Sequence, residues 1–222
     1  MAVDSTLFHN ISIPKQRLND FSFICCSDSE FTFILESPHQ QEVNDGYPAA
    51  GTTGMWMSKA LFNIEVPLGK LVITKNKHIP RISLINCSRL PLQESCYDSL
   101  ELPLGYSSFL DIQKVTYDNI SFTKEKIKEK LKTRIGLQAI KSFRSRLLKH
   151  IVMCSNPKII VCGVIAQCFF EESTKLRCSL RKPTQVNWEG QFFSVFYEYH
   201  PSPKSGQWQN STNMVGLLKF MS

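Results

Sequence analysis

Four short apolar runs, separated by longer stretches of helical periodicity, constrain this chain more than any other feature. The runs are Phe31–Leu35 (FTFIL), Ile82–Ile85 (ISLI), Ile159–Cys162 (IIVC) and Phe192–Tyr199 (FFSVFYEY). Each is short and rich in β-branched or aromatic side chains, so each reads as a buried strand. Thr53–Phe62 reads as a helix after the first run. The clearest helical pattern runs from Thr123 to Met153. There Ile127, Leu131, Ile135, Ala139, Phe143, Leu147 and Ile151 recur every four residues, and Ile140 and Leu148 widen the stripe. Gly136 marks a kink or a split in it. A further helix starts at Ala166 and reaches Glu172. This alternation predicts an α/β fold, with a mostly parallel sheet covered by helices on both faces.

The 222 residues fit one domain, read as spanning 1–222 with its core over about 21–215. With 42% hydrophobic and 20% charged residues, a disordered chain is excluded. The longest apolar run, Ile159–Phe170, is interrupted by Gly163 and Gln167 and is too short for a membrane span. The N-terminus lacks the pattern of a secretory signal, so a soluble cytoplasmic protein is expected. None of the eight cysteines forms a C-x-x-C pair; they read as reduced thiols, with no metal site. The net charge is +7, and ten of the 26 basic residues lie between Lys124 and Lys149 against only Glu125 and Glu129. Such a cluster is either a face for a polyanion such as nucleic acid or a solvated helix surface.

In open α/β sheets, ligands bind beyond the carboxyl ends of the strands. The first run leads into Glu36-Ser37-Pro38-His39 and the second into Asn86-Cys87-Ser88-Arg89. The third ends at Gly163, and the fourth leads into His200-Pro201-Ser202-Pro203-Lys204-Ser205. Three tips therefore offer a carboxylate, an amide and an imidazole at one edge. Glu36, on a bend stiffened by Pro38, suits orienting a water or stabilising a cation; the alternative is a turn glutamate bonded to backbone amides. Asn86 suits reading a base edge, or else caps a strand end. His200 suits donating to an oxygen that gains charge, or else makes a structural hydrogen bond. Ser202, Ser205 and their amides suit a phosphate. The glycines of Gly46-Tyr47-Pro48-Ala49-Ala50-Gly51-Thr52-Thr53-Gly54 permit close backbone approach to a ligand. The P-loop, G-x-G-x-x-G and G-x-S-x-G patterns are absent, which counts against nucleotide-cofactor binding and a hydrolase nucleophile.

Taken in order, these segments resemble the uracil-DNA glycosylase superfamily. The nearest branch carries G-E-A-P-G-x-x-E and then G-x-P-F-V-G-x-x-G. Here Glu36-Ser37-Pro38-His39-Gln40-Gln41-Glu42 and Gly46 to Gly54 stand in those places. Asn86, Gly163-Val164-Ile165-Ala166 and His200-Pro201-Ser202 match its later motifs.

The resemblance implies a three-layer α/β/α fold with a central four-stranded sheet. It implies a DNA partner, an everted nucleotide and cleavage of its base–sugar bond. Glu36 and His200 would be catalytic. Ser37, His39, Tyr47, Ala49 and Asn86 would contact the base. Ser88, Arg89, Ser202, Lys204 and Ser205 would contact the DNA backbone, and Lys204 to Trp208 would wedge into the duplex. Ser37 replaces an Asp of the best-known branch, and Ala49 replaces a stacking Phe. Cys25-Cys26 and Leu90 do not supply the cysteines of an iron–sulfur cluster, so no cofactor is expected. The widened pocket points to a modified pyrimidine, such as glucosylated hydroxymethylcytosine removed from phage DNA in defence. The alternatives are a repair enzyme for uracil or deaminated bases, with Tyr47 or a distal Phe replacing the lost ring, and a catalytically silent DNA-binding scaffold. A monomer is expected. The 92–120 stretch reads as an insertion near the DNA face.

Overall fold

The computed structural model describes residues 23–24, 28–97, 105–116 and 118–222, without the side chains of 23, 24, 204 and 211. Residues 1–20 and Cys25-Cys26 lie outside the described residues. In chain order the elements are β1 (Phe23–Ile24), β2 (Phe31–Leu35), α1 (Gln40–Asp45), α2 (Thr52–Phe62), α3 (Leu68–Ile73) and β3 (Ile82–Asn86). Then come α4 (Tyr106–Leu110), α5 (Ile120–Leu131), α6 (Arg134–Met153), β4 (Lys158–Cys162), α7 (Val164–Thr174), β5 (Thr184–Trp188), β6 (Gln191–Glu198) and α8 (Ser211–Met221).

The strands form one sheet in the order β1-β3-β2-β4-β6-β5. The pairs β3–β2, β2–β4 and β4–β6 are parallel, and these four strands are the apolar runs of the sequence. The expected count of four falls short. The five-residue β5 and the two-residue β1 add antiparallel edges to β6 and β3. Sequence patterning overlooks β5 because an edge strand is half solvated, and TQVNW is mostly polar.

Side chains alternate between the two faces of the sheet, as strand geometry requires. Ile34, Ile85, Ile159, Val161, Phe193, Val195 and Tyr197 pack under α4, α5, α6 and α7. Phe31, Phe33, Leu35, Ile82, Leu84, Ile160, Cys162 and Phe196 pack under α2, α3 and α8. The result is a three-layer α/β/α domain. Its second core extends to Leu217 and Phe220 on α8, past the expected boundary at 215.

The long helical pattern splits at Lys132–Thr133, where the Thr133 side chain caps α6 by accepting from the Gly136 N–H at 3.2 Å. A Cβ on Gly136 would stand 2.5 Å from the Leu131 carbonyl oxygen, so glycine lets the two helices meet this closely.

The basic cluster is largely committed within the fold. Lys124 and Lys128 both pair with buried Glu171, at 2.7 and 2.6 Å. Lys126 pairs with Glu129, Lys130 with Asp111 and Arg144 with Glu189. Exposed Lys132, Arg134, Lys141 and Lys149 remain at the surface.

Cys87, Cys96, Cys154, Cys162, Cys168 and Cys178 are free thiols. Burial raises Cys96 to about 11 and Cys168 to about 12, far from thiolate chemistry at neutral pH. Among the described residues, no helix is long and apolar enough to cross a membrane. Nor does any group of three His, Cys, Asp or Glu side chains among them form a metal site.

Candidate active site

Helices leave the adjacent parallel strands β2 and β4 toward opposite faces of the sheet, so a crevice opens between their carboxyl ends. A cavity of about 260 Å³ lies at this edge. Glu36 from the β2 tip, Asn86 from the β3 tip and His200 just beyond β6 all line it. Ser37, His39, Glu42, Ala49, Thr52, Thr53 and Gln93 complete much of the wall.

Backbone pairing continues past the strands and holds these tips together. The Cys87 N–H donates to the Leu35 carbonyl at 2.8 Å, and the Ser88 N–H donates to the Glu36 carbonyl at 3.0 Å. On the other side, the Gly163 N–H donates to the Glu198 carbonyl at 2.9 Å. Gly163 has φ 92° and ψ 159°, a conformation open essentially to glycine alone. A Cβ there would stand 2.7 Å from Glu36 Oε1 and 3.2 Å from the His200 Cβ and Cδ2 atoms. The bare backbone of the β4 tip is therefore what lets carboxylate and imidazole converge.

His200 Nε2 lies 3.7 Å from Glu36 Oε2. The other ring nitrogen, Nδ1, accepts the Ser202 N–H at 3.1 Å. With Nδ1 accepting, a neutral imidazole carries its proton on Nε2 and presents a donor toward Glu36 and the cavity. The Ser205 hydroxyl, which lies 2.7 Å from the His200 carbonyl and 2.8 Å from that of Ser202, fixes the loop. Buried Glu198 steadies the base of this loop, accepting from the Arg181 Nε at 3.0 Å and the Tyr199 N–H at 2.8 Å. A carboxylate and an N–H donor thus face one small volume, the arrangement needed to orient a water and stabilise an oxygen that gains negative charge.

Glu42 ties the far wall together. Its carboxylate accepts the His39 N–H at 2.7 Å and the Ala49 N–H, and it hydrogen-bonds the Asn86 side chain. Burial pushes its carboxyl up to about 7, against these bonds, which favour the charged form. Asn86 is fully buried, and Arg146 of α6 grips the strand end that carries it. The Arg146 Nη1 and Nη2 donate to the Asn86 and Cys87 carbonyls at 2.7 and 2.8 Å. Burial, and then neighbouring Arg89, pushes this guanidinium down to about 9.

The remaining sequence expectations fall into distinct places. Ser37 is 2% exposed, lines the cavity, and its Oγ has no hydrogen-bond partner among the described residues. Ala49 forms part of the wall with φ 54°, held between Glu42 and the Gly69 N–H, which donates to its carbonyl at 3.2 Å. Tyr47 does not line the cavity. Its Cδ2 lies where a Cβ on Gly69 would approach to 2.7 Å, so the ring sits against α3. Among the described residues, no Phe, Tyr or Trp lines the cavity.

Ser88 is buried, and its hydroxyl donates to the Leu90 carbonyl at 2.7 Å, which directs it inward rather than toward a phosphate. Arg89 is partly buried, and desolvation lowers its pKa. Ser202 is half-buried in the loop beside His200, while the Lys204 side chain lies outside the described residues. Trp208 is 3% exposed, packs in the second core and donates to the Tyr199 carbonyl at 3.0 Å, so it is an anchor and not a wedge. Sequence reasoning assigned no site role to Glu42, Gln93, Arg146 or Gly163. Glu42 stood inside the quoted motif and was legible there. Gln93 and Arg146 carry no local signal.

Compared with models of known protein families and with curated proteins, the chain matches none.

Proposed function

We propose that this protein is a DNA glycosylase that everts one nucleotide and hydrolyses the N-glycosidic bond of a modified pyrimidine. One observation carries the reading: Glu36, Asn86 and His200, delivered by three strand tips, line a single cavity, with His200 Nε2 3.7 Å from Glu36 Oε2. A glycosidic bond within a duplex is inaccessible, so the nucleotide must leave the stack. The C1′–N bond then breaks, leaving a cationic sugar and an anionic base. The Glu36 carboxylate stabilises the cation and orients the water whose oxygen bonds to C1′, and the proton that water loses passes by way of Glu36 to the anionic base. The His200 Nε2–H donates to a ring oxygen of the departing base, a preorganised contact worth about 3–4 kcal/mol at the transition state. Glu42 orients the Asn86 amide against the base edge. The products are the free base and an abasic sugar in an unbroken strand.

The absence of any phenyl, phenol or indole ring among the described residues of the cavity wall favours a substituted pyrimidine over plain uracil, because recognition then rests on hydrogen bonds rather than stacking. Glucosylated hydroxymethylcytosine of phage DNA is the candidate this favours. The test is abasic-site formation on duplexes containing uracil, cytosine, hydroxymethylcytosine or glucosylated hydroxymethylcytosine. Cleavage confined to substituted cytosine supports the reading. Cleavage of uracil alone replaces it with a repair activity, and binding without abasic sites replaces it with a silent scaffold. Glu36→Ala and His200→Ala are each expected to slow excision at least a hundredfold with melting temperature preserved.

A further inference from the structure

We propose that Gln93 is the specificity residue of this cavity, its side-chain amide hydrogen-bonding a hydroxyl-bearing substituent on the everted base. The assignment rests on the glycosylase reading above and goes beyond it, because Gln93 belongs to no motif and sits in the stretch after β3 that the sequence reads only as an insertion near the DNA face. Three observations carry it.

The first is delivery. Gln93 is the cavity residue supplied by the 91–97 segment, and that segment is rigidly held. Leu92 is 2% exposed in the first core. The Tyr97 hydroxyl donates to the Pro91 carbonyl at 2.7 Å and lies 3.0 Å from the Tyr106 hydroxyl, itself 3.4 Å from the same carbonyl. A single 3-10 turn, Glu94–Cys96, follows at once, closed by the Cys96 N–H donating to the Gln93 carbonyl at 3.1 Å. A side chain on so fixed a support is preorganised for contact, not a mobile surface group.

The second is availability. Among the described residues three glutamines line this cavity, and two are committed along α1. The Gln40 Nε2 donates to Asn44 at 3.1 Å, and the Gln41 Nε2 donates to Asp45 at 2.8 Å. The hydrogen bond described for the Gln93 side chain is a 3.9 Å approach of the Cys96 thiol to Oε1, a weak contact that a ligand hydroxyl readily displaces.

The third is the character of the wall. With no Phe, Tyr or Trp ring among the described residues of the wall, discrimination falls to polar groups. A site built to hydrogen-bond a hydroxyl rejects the analogue lacking it far more strongly than an apolar pocket rejects a size difference. An amide offers both a donor and an acceptor, which matches a hydroxyl and not a methyl or a bare ring carbon.

The experiment compares wild type, Gln93→Leu and Gln93→Asn on duplexes carrying one uracil, one 5-hydroxymethylcytosine or one glucosylated 5-hydroxymethylcytosine. It reads kcat/KM for base release and, separately, Kd for each duplex. Gln93→Leu is expected to lower kcat/KM on the hydroxylated bases at least tenfold while leaving Kd for the uracil duplex unchanged, with Gln93→Asn between it and wild type. No loss on the hydroxylated bases, or an equal weakening of Kd for every duplex, overturns the assignment while leaving the glycosylase reading standing. If wild type releases no base, the glycosylase reading fails, and the Kd series then decides Gln93. A wild-type preference for hydroxylated duplexes that Gln93→Leu abolishes supports the contact. No preference, or one that survives Gln93→Leu, overturns it.

Discussion

Gly163→Ala tests the convergence of Glu36 and His200 most directly. At φ 92° and ψ 159° an alanine is strained, at about 1–3 kcal/mol. For a chain of this size each kcal/mol lowers the melting temperature by roughly 2–4 °C. The steric term is separate. The new methyl would lie 2.7 Å from Glu36 Oε1, and ordinary contact begins near 3.4 Å, so the carboxylate must retreat by roughly 0.7 Å. His200, with Cβ and Cδ2 at 3.2 Å, must shift as well. Misplacement of reacting groups by about 1 Å costs on the order of a hundredfold in rate. Gly190→Ala separates the two effects. That residue has φ 76° in the β5–β6 hairpin with nothing within 4 Å of its Cβ position, so it carries backbone strain alone. Both variants are expected to melt earlier in a thermal scan, but only Gly163→Ala should lose about a hundredfold in single-turnover base release. Equal rates in the two variants would refute the claim that the bare β4 tip brings acid and imidazole together.

Ser202→Pro removes the N–H that Nδ1 of His200 accepts while keeping a compatible backbone, φ −70°. Losing roughly 1 kcal/mol of tautomer control should slow base release about fivefold; an unchanged single-turnover rate would show that the bond is incidental. Glu42 contributes a stability term with a definite sign. Its pKa rises from 4.5 unfolded to about 7 folded, so the folded state keeps a proton the unfolded state has lost. That contribution is complete below pH 4.5 and disappears as pH rises through about 7, a change on the order of 3 kcal/mol. Urea unfolding between pH 5 and 8 should therefore show wild type losing stability relative to Glu42→Gln as pH increases. Arg146→Lys cannot span both carbonyls, and losing one charge-assisted bond should lower unfolding free energy by about 2 kcal/mol and slow base release, measured by denaturant midpoint and single-turnover rate.

The strands FTFIL, ISLI, IIVC and FFSVFYEY were legible because a buried parallel strand needs a continuous apolar run whatever surrounds it. The two edges were not, because β5 is half polar and β1 is only two residues long. Glu36, Asn86 and His200 were legible because parallel strands point their carboxyl ends the same way, so a residue just past an apolar run reaches the same edge as its counterparts. Loop residues had no such rule. Tyr47 lies four residues from Val43 of α1 in the chain, yet its ring turns to Gly69. Trp208 closes a segment expected to wedge into a duplex, yet it fills the second core. The basic run looked like one surface until Glu171 of α7 folded against Lys124 and Lys128.

Amino-acid order alone determined the layers, the parallel core and the three polar strand tips, since hydrophobic periodicity and strand direction are local properties of the chain. Only tertiary structure decided which side chains share the cavity. Gln93 enters it through a turn pinned by Tyr97 and Tyr106, Arg146 reaches the β3 end from a helix 60 positions later, and Gly163 matters through atoms it lacks. Those relations depend on distances between segments remote in sequence, which no local pattern encodes.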